Sequence, residues 1–382
     1  MAFCLNTNAA YVDFNRLVHD RFFVDKSAII EKISMRINTT NRYICITKPR
    51  RFGKTSVLNM LGAYYGKAYD AKELFHGLEI SKKTSFMVHL NQYNVITLCL
   101  NKLPDRHNAY EDYINYIQNC IKQDIEAAYP SISGKDFRSV ADMLSATEDE
   151  FIFVVDEWDY IFRHKLYLER QGDFLEFLRN LLKDRLYVAL AYMTGILPIS
   201  QYNTSSSLNM FVEYTMLRNL LFEPYFGFTE NEVELLCEKQ TALKMNEIRE
   251  WYNGYQMKNG ERLYNPLSIV YALKNGTCQS YWARTGKEDE VSFFLKYNIS
   301  GVLDDIIKML GSASVWIDIE KEFTAGQKPP KNREETYFAM IIYGLLSYSD
   351  GELRIPNKEL MIEFQKALKN DEFGYVAQLV RN

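Results

Sequence analysis

The chain has 382 residues, of which 47% are hydrophobic and 25% charged, and a formal charge of −4. That length supports roughly two or three domains with a large core, and the composition is ordinary for a soluble globular protein. The negative balance argues against a wholly basic nucleic-acid binder but permits a local basic patch. The 27 Tyr and 23 Phe read as core filling rather than base stacking.

Cys4, Cys45, Cys99, Cys120, Cys237 and Cys278 form no C-x-x-C pair, and Cys45 and Cys99 lie in apolar runs. This implies a reducing compartment and no zinc site. His19, His76, His89, His107 and His164 show no H-x-x-x-H spacing. No signal-peptide pattern opens the chain. The longest apolar run, Phe338 to Leu346, is too short to span a bilayer. The expected location is the cytoplasm, with no membrane partner.

Residues 11–42 carry Phe14, Leu17, Phe22, Phe23, Val24, Ile29, Ile30 and Ile33, and read as an opening segment and a helix. Tyr43 to Thr47 is a short apolar run, predicted as a strand. Lys48-Pro49-Arg50-Arg51-Phe52-Gly53-Lys54-Thr55 follows, and Ser56 to Tyr65 is helix-like. Strand, glycine turn, Lys-Thr and helix is an arrangement that holds a nucleoside triphosphate. The glycine lets backbone N–H groups approach the phosphates, the lysine reaches the β- and γ-phosphates, and the hydroxyl ligates Mg²⁺. The helix N-terminus adds partial positive charge. The full pattern G-x-x-x-x-G-K-[ST] would place a glycine at position 48, where this chain has Lys48-Pro49. A residue before proline is biased to extended conformations, so this turn must be built differently. Taken alone, Gly-Lys-Thr fits a basic turn capping a helix equally well.

A polar region, 66–91, precedes a second strand from Asn94 to Leu100. Tyr110 to Ala128 reads as a helix ended by Pro130, and Asp136 to Leu144 as a short one. Phe151 to Val155 is continuously apolar, as expected of a strand buried on both faces of a parallel sheet. It runs into Asp156-Glu157-Trp158-Asp159. At such a strand end the first acid holds Mg²⁺ and the second polarises the attacking water of an ATPase. The alternative, a solvated acidic turn, loses ground because both motifs occur in the right order. Gly172 to Lys183 is an amphipathic helix, and Tyr187 to Met193 a further buried strand ending in Thr194-Gly195. Alternating strand and helix indicates α/β with a parallel sheet. Tyr202 to Leu208 reads as a polar, mobile loop.

From Phe226 the pattern is mainly helical. Thr229 and Glu232 occupy capping-box positions, and Trp251-Tyr252-Asn253-Gly254-Tyr255 reads as a helix end with a glycine cap. Pro266 sits in the first turn of another helix. Gln327 to Lys331 reads as a linker, Arg333 to Leu346 as helix, and Tyr348 to Ile355 as a hairpin around Asp350-Gly351. The expected domains are a core over 1–225, a helical lid over 226–285 and a helical C-terminal region over 286–382.

Together these pieces resemble the AAA-ATPase-like family of bacteria and some archaea. The resemblance rests on Phe23-Val24-Asp25-Lys26-Ser27, the Lys48–Thr55 loop, Asp156-Glu157-Trp158-Asp159 and Thr194-Gly195-Ile196-Leu197. Phe226-Gly227-Phe228-Thr229-Glu230, Trp251 to Tyr255, Tyr264-Asn265-Pro266 and Ile355-Pro356-Asn357-Lys358-Glu359 follow in order. Lys48 stands where the family has arginine and Trp158 where it has tyrosine. The family also lacks the first glycine of the loop. The resemblance implies a P-loop NTPase core of the additional-strand class, its parallel sheet sandwiched by helices, followed by a helical lid. It also implies ATP and Mg²⁺ as cofactors, and a switch or regulator as the role. The alternatives are a nucleotide-binding module without turnover and a polyanion- or nucleic-acid-binding protein.

On this reading Lys48, Pro49, Arg50, Arg51, Phe52, Gly53, Lys54, Thr55 and Ser56 bind the nucleotide, and Thr55 and Asp156 serve the metal. Glu157 orients water, and Thr194 is a sensor hydroxyl or a helix cap. Asp159 orients Arg50 or Arg51, or caps a helix. Arg179, Arg185 and Arg218 are candidates for an arginine finger. Many relatives continue into a PD-(D/E)XK nuclease-like domain, so the implied partners are the nucleotide and a separately supplied domain or protein. The single acid-x-Lys triplet, Asp70-Ala71-Lys72, lies in a polar stretch. The chain also ends soon after Glu359, and no nuclease activity of its own is expected.

Overall fold

The structure, a computed structural model, describes residues 2–199, 208–217, 221–256, 260–282, 289–297, 299–319 and 330–370. The expected mobile loop, Tyr202 to Leu208, lies outside them except for Leu208, as do Arg218 and the linker residues before Pro330. The chain forms two compact units. The first is built from the described residues of Met1–Thr47 and Lys54–Tyr214, the second from those of Lys48–Gly53, Thr215–Phe323 and Gln327–Asn382.

The first unit is organised by a parallel sheet of β1 (Tyr43–Thr47), β2 (Asn94–Cys99), β3 (Phe151–Asp156), β4 (Val188–Gly195) and β5 (Val212–Tyr214), in the order β2-β3-β4-β1-β5. Every residue of β1, β3 and β4 is buried, because apolar side chains alternate onto two covered faces. β4 lies between β1 and β3, as the additional-strand class requires. Helices flank the sheet. The Ala9–Val18 helix approaches the Lys54–Tyr65 helix at Gly62, where a Cβ would come within 2.8 Å of Ala10. Tyr113, Ile117, Ile121 and Ile125 form the buried stripe of Tyr110–Ala128. The stretch 66–91 is less polar than its composition suggests. It contains two single-turn helices, Lys72–Phe75 and Phe86–His89, and buries Leu74, Phe75, Ile80 and Phe86. Asp70-Ala71-Lys72 opens the first of these, with the Asp70 carboxylate accepting from the Lys72 N–H at 2.9 Å.

The second unit combines helices with two three-stranded antiparallel sheets, so it is not purely helical. One sheet contains β6 (Phe228–Thr229), β7 (Tyr255–Gln256) and β8 (Arg262–Tyr264). The other adds β9 (Val315–Trp316) to the anticipated hairpin of β10 (Ser347–Ser349) and β11 (Glu352–Arg354). Thr229 and Glu232 form the expected capping box of Glu230–Glu238. Asn265 caps the helix that starts at Pro266. Gly254 is not a helix cap. Its φ is 153°, and a Cβ there would lie 1.6 Å from the Pro356 carbonyl oxygen, so glycine permits two backbones to touch.

Next to that contact, Glu359 is buried and accepts from Ser268 Oγ at 2.9 Å, from the Tyr281 N–H at 2.7 Å and from the Trp282 N–H at 2.9 Å. Burial raises its pKa from 4.5 to about 7; these hydrogen bonds oppose the shift, and the Glu363 carboxylate adds to it. A carboxyl that titrates higher when folded stabilises fully below its unfolded pKa, and that stability is lost as pH rises through the folded value. The wild-type protein is therefore expected to lose stability between about pH 5 and 7.5, by about 3 kcal/mol from this group. Urea unfolding of Glu359→Gln across that range should show a flatter profile. Parallel profiles would mean that Glu359 is not the group responsible.

Candidate functional site

Three neighbouring strands of the first unit end together, and their carboxyl ends carry the polar side chains. In α/β sheets this edge is where ligands bind. β1 leads through the loop to the Lys54–Tyr65 helix, β3 ends at Asp156, and β4 ends at Thr194 and Gly195. The parallel register pairs Ile46 with Thr194 and Val155 with Met193, which levels the three ends.

Asp156 is the meeting point. Its Oδ2 accepts from Thr55 Oγ1 at 2.8 Å, and its Oδ1 from Thr194 Oγ1 at 2.5 Å and from the Glu157 N–H at 3.1 Å. The sequence-predicted residues Thr55, Asp156 and Thr194 are thus directly bonded, and the Thr194 hydroxyl caps no helix. Lys54 opens the helix and is 8% exposed. Burial lowers its pKa from 10.5 to about 8; the Asp156, Asp159 and Glu157 carboxylates oppose this, and the Arg163 guanidinium adds to it. A largely desolvated ammonium beside a helix N-terminus suits an anionic ligand. A hydroxyl and a carboxylate oxygen in contact are also the hard oxygen donors that Mg²⁺ prefers, so these residues fit that ion.

Glu157 adopts φ 53°, a left-handed conformation that is uncommon outside glycine. Its carboxylate accepts from Arg163 Nη2 at 2.8 Å. Asp159 is fully buried, and the arginine it engages is Arg163, not the expected Arg50 or Arg51. Its Oδ2 accepts from Arg163 Nε at 2.9 Å and from the N–H groups of Ile196 at 3.0 Å and Leu197 at 2.8 Å. It stands at the start of the Tyr160–Arg163 turn of helix without capping it through its side chain. Arg163 was not singled out from the sequence; the signal is its position four residues after Asp159, the spacing at which an acid and an arginine meet on a helix. Among the candidate finger residues, Arg179 pairs with Glu176 at 3.1 Å, and Arg185 Nε donates to the Asn180 carbonyl at 2.9 Å.

The loop residues Lys48 to Gly53 belong to the second unit. Lys48 is buried, and its Nζ donates to the Thr215 carbonyl at 3.4 Å. Burial lowers its pKa to about 8, while Glu223 opposes the shift. Phe52 is fully buried, with its ring edge-on to Tyr255 at 5.1 Å. The Arg50 carbonyl accepts from Asn265 Nδ2 at 3.4 Å. Arg51 and Gly53 have φ 69° and 87°, and a Cβ on Gly53 would meet nothing within 4 Å.

Gly195 holds the acidic turn against β4. A Cβ there would lie 2.5 Å from Trp158 Nε1 and 2.9 Å from Asp159 Oδ1. Gly195→Ala must push the buried indole and carboxylate apart, at about 1–3 kcal/mol. Its urea midpoint should fall accordingly; an unchanged midpoint would show that the turn moves freely.

The family described as Predicted AAA-ATPase matches residues 10–205. An uncharacterized protein in the vnfD 5′ region of Azotobacter chroococcum is 23% identical over 283 residues, 70% of this chain and 51% of that protein. The chain thus spans about half the length of this curated relative. Among solved structures, the Walker-type ATPase of Pyrococcus abyssi is similar with a TM-score of 0.46 and 13% identity, covering 89% of this chain and 94% of that one. The Aeropyrum pernix ORC2 protein, solved in ADPNP and ADP complexes, has a TM-score of 0.38 and 10% identity, covering 95% of each chain. With its family match spanning the strands and acidic turn described above, the chain belongs to the predicted AAA-ATPase family.

Proposed function

We propose that the chain binds Mg²⁺-ATP at Lys54, Thr55 and Asp156 and hydrolyses it slowly, as a molecular switch or regulator. The observation that carries this reading is the 2.8 Å hydrogen bond between Thr55 Oγ1 and Asp156 Oδ2, in the first turn of the helix that Lys54 opens. Lys54 neutralises phosphate charge in a site with little water. Thr55 and Asp156 would hold Mg²⁺, which when bound would supply further neutralisation of the phosphates. Thr194, bonded to Asp156, orients that carboxylate. Glu157 accepts a proton from, or orients, the attacking water. The family membership supports nucleotide binding and hydrolysis in general terms.

Lys54→Ala is expected to abolish Mg²⁺-ATP binding in a calorimetric titration while the urea midpoint stays near that of the wild type. Retained affinity would remove the phosphate-binding reading. Glu157→Gln should bind ATP normally and turn it over more slowly, on the order of a hundredfold. Equal phosphate release by the variant and the wild type would exclude Glu157 as the water-orienting group.

A further inference from the structure

Two carboxylates of the acidic turn share one guanidinium. Arg163, with 4% of its side chain exposed, gives Nε to Asp159 and Nη2 to Glu157. The two acids differ in their freedom. Asp159 is wholly inside, where an unpaired carboxylate costs several kcal/mol, so it fixes the arginine. Glu157 is one-third exposed and keeps access to solvent. The planar fork of the guanidinium then places its outer nitrogen on the Glu157 carboxylate.

From this geometry we infer that Arg163 is a positioning residue that latches Glu157, keeping the turnover of the isolated chain low until the Glu157–Arg163 pair opens. The inference rests on the ATPase reading above and adds its regulation. A guanidinium on Glu157 Oε2 holds the carboxylate in one orientation and lowers its basicity, so the paired group takes the proton of a water less readily. The left-handed backbone of Glu157 is part of the same arrangement. Such a conformation is retained only where surrounding contacts over-determine it, and here the Asp156 carboxylate on its N–H and Arg163 on its side chain do so.

Arg163→Lys is the direct test. Lysine retains a cation for Asp159 at the same helical spacing, but as a point charge it cannot fork to both acids. Phosphate release from Mg²⁺-ATP by Arg163→Lys is expected to show a kcat several-fold above wild type with KM unchanged. In a Glu157→Gln background the same substitution should change nothing, because the latched group is gone. Arg163→Gln, which keeps an N–H donor for Asp159, serves as the second variant if the lysine form does not fold by circular dichroism. Turnover equal to or below wild type in the folded variants, with ATP binding intact, would overturn the latch and leave the nucleotide reading standing. Absence of Mg²⁺-ATP binding by the wild type itself would instead overturn the reading beneath it, and the latch with it.

Discussion

The carboxylate of Asp156 is the interaction on which the rest of the site depends. It is buried, and it gathers the Thr55 and Thr194 hydroxyls from elements far apart in sequence, together with the N–H of the adjacent Glu157. A buried carboxylate must be satisfied, and hydrogen bonds to a charged group contribute about 1.5–3 kcal/mol each. The strands alone would align their backbones; Asp156 also fixes which hydroxyls face one another. The parallel register makes this reach available, since Ile46 pairs with Thr194 across β1 and β4. Sheet pairing and side-chain bonding thus point to the same arrangement.

Asp159 performs the complementary task three residues later. By accepting from Ile196 and Leu197 it ties the turn after β3 to the turn after β4, and Gly195 lets the Trp158 indole close over the junction. Trp158 Nε1 and Asp159 Oδ1 find no partner among the described residues.

The sheet was legible because its central strands are apolar on both faces. Tyr43–Thr47 and the Phe151 strand appear within a residue of their expected limits. β5 was not, because Val212–Tyr214 is three residues long and partly exposed, and only pairing with β1 makes it a strand. β9 escaped for the same reason. At the site, Lys54, Thr55, Asp156 and Thr194 followed from motif and strand end. The roles of Asp159 and Arg163 did not, since an ion pair buried by folding leaves only an i,i+4 spacing in the sequence. Gly254 illustrates a further gap: a glycine after a helix suggests a cap, whereas its partner, Pro356, lies a hundred residues on.

The loop Lys48 to Gly53 lacks the first glycine of the G-x-x-x-x-G-K-[ST] pattern and is held in another way. Permissive backbone is one way to hold a tight turn; anchoring by tertiary contacts is another. Here Phe52 inserts its ring against Tyr255, and its carbonyl accepts from the Gly227 N–H at 3.1 Å. Pro49 packs where a Cβ on Gly344 would come within 2.7 Å, and Lys48 reaches the Thr215 carbonyl. Each anchor belongs to the second unit, so the shape of the loop is set there by packing and not by glycine content. Arg51 can then adopt its left-handed φ of 69° because the residues around it are already held. The R-R-F-G-K pattern is in this sense a different solution to the same backbone problem. Its aromatic residue, buried edge-on to Tyr255, anchors the turn by packing.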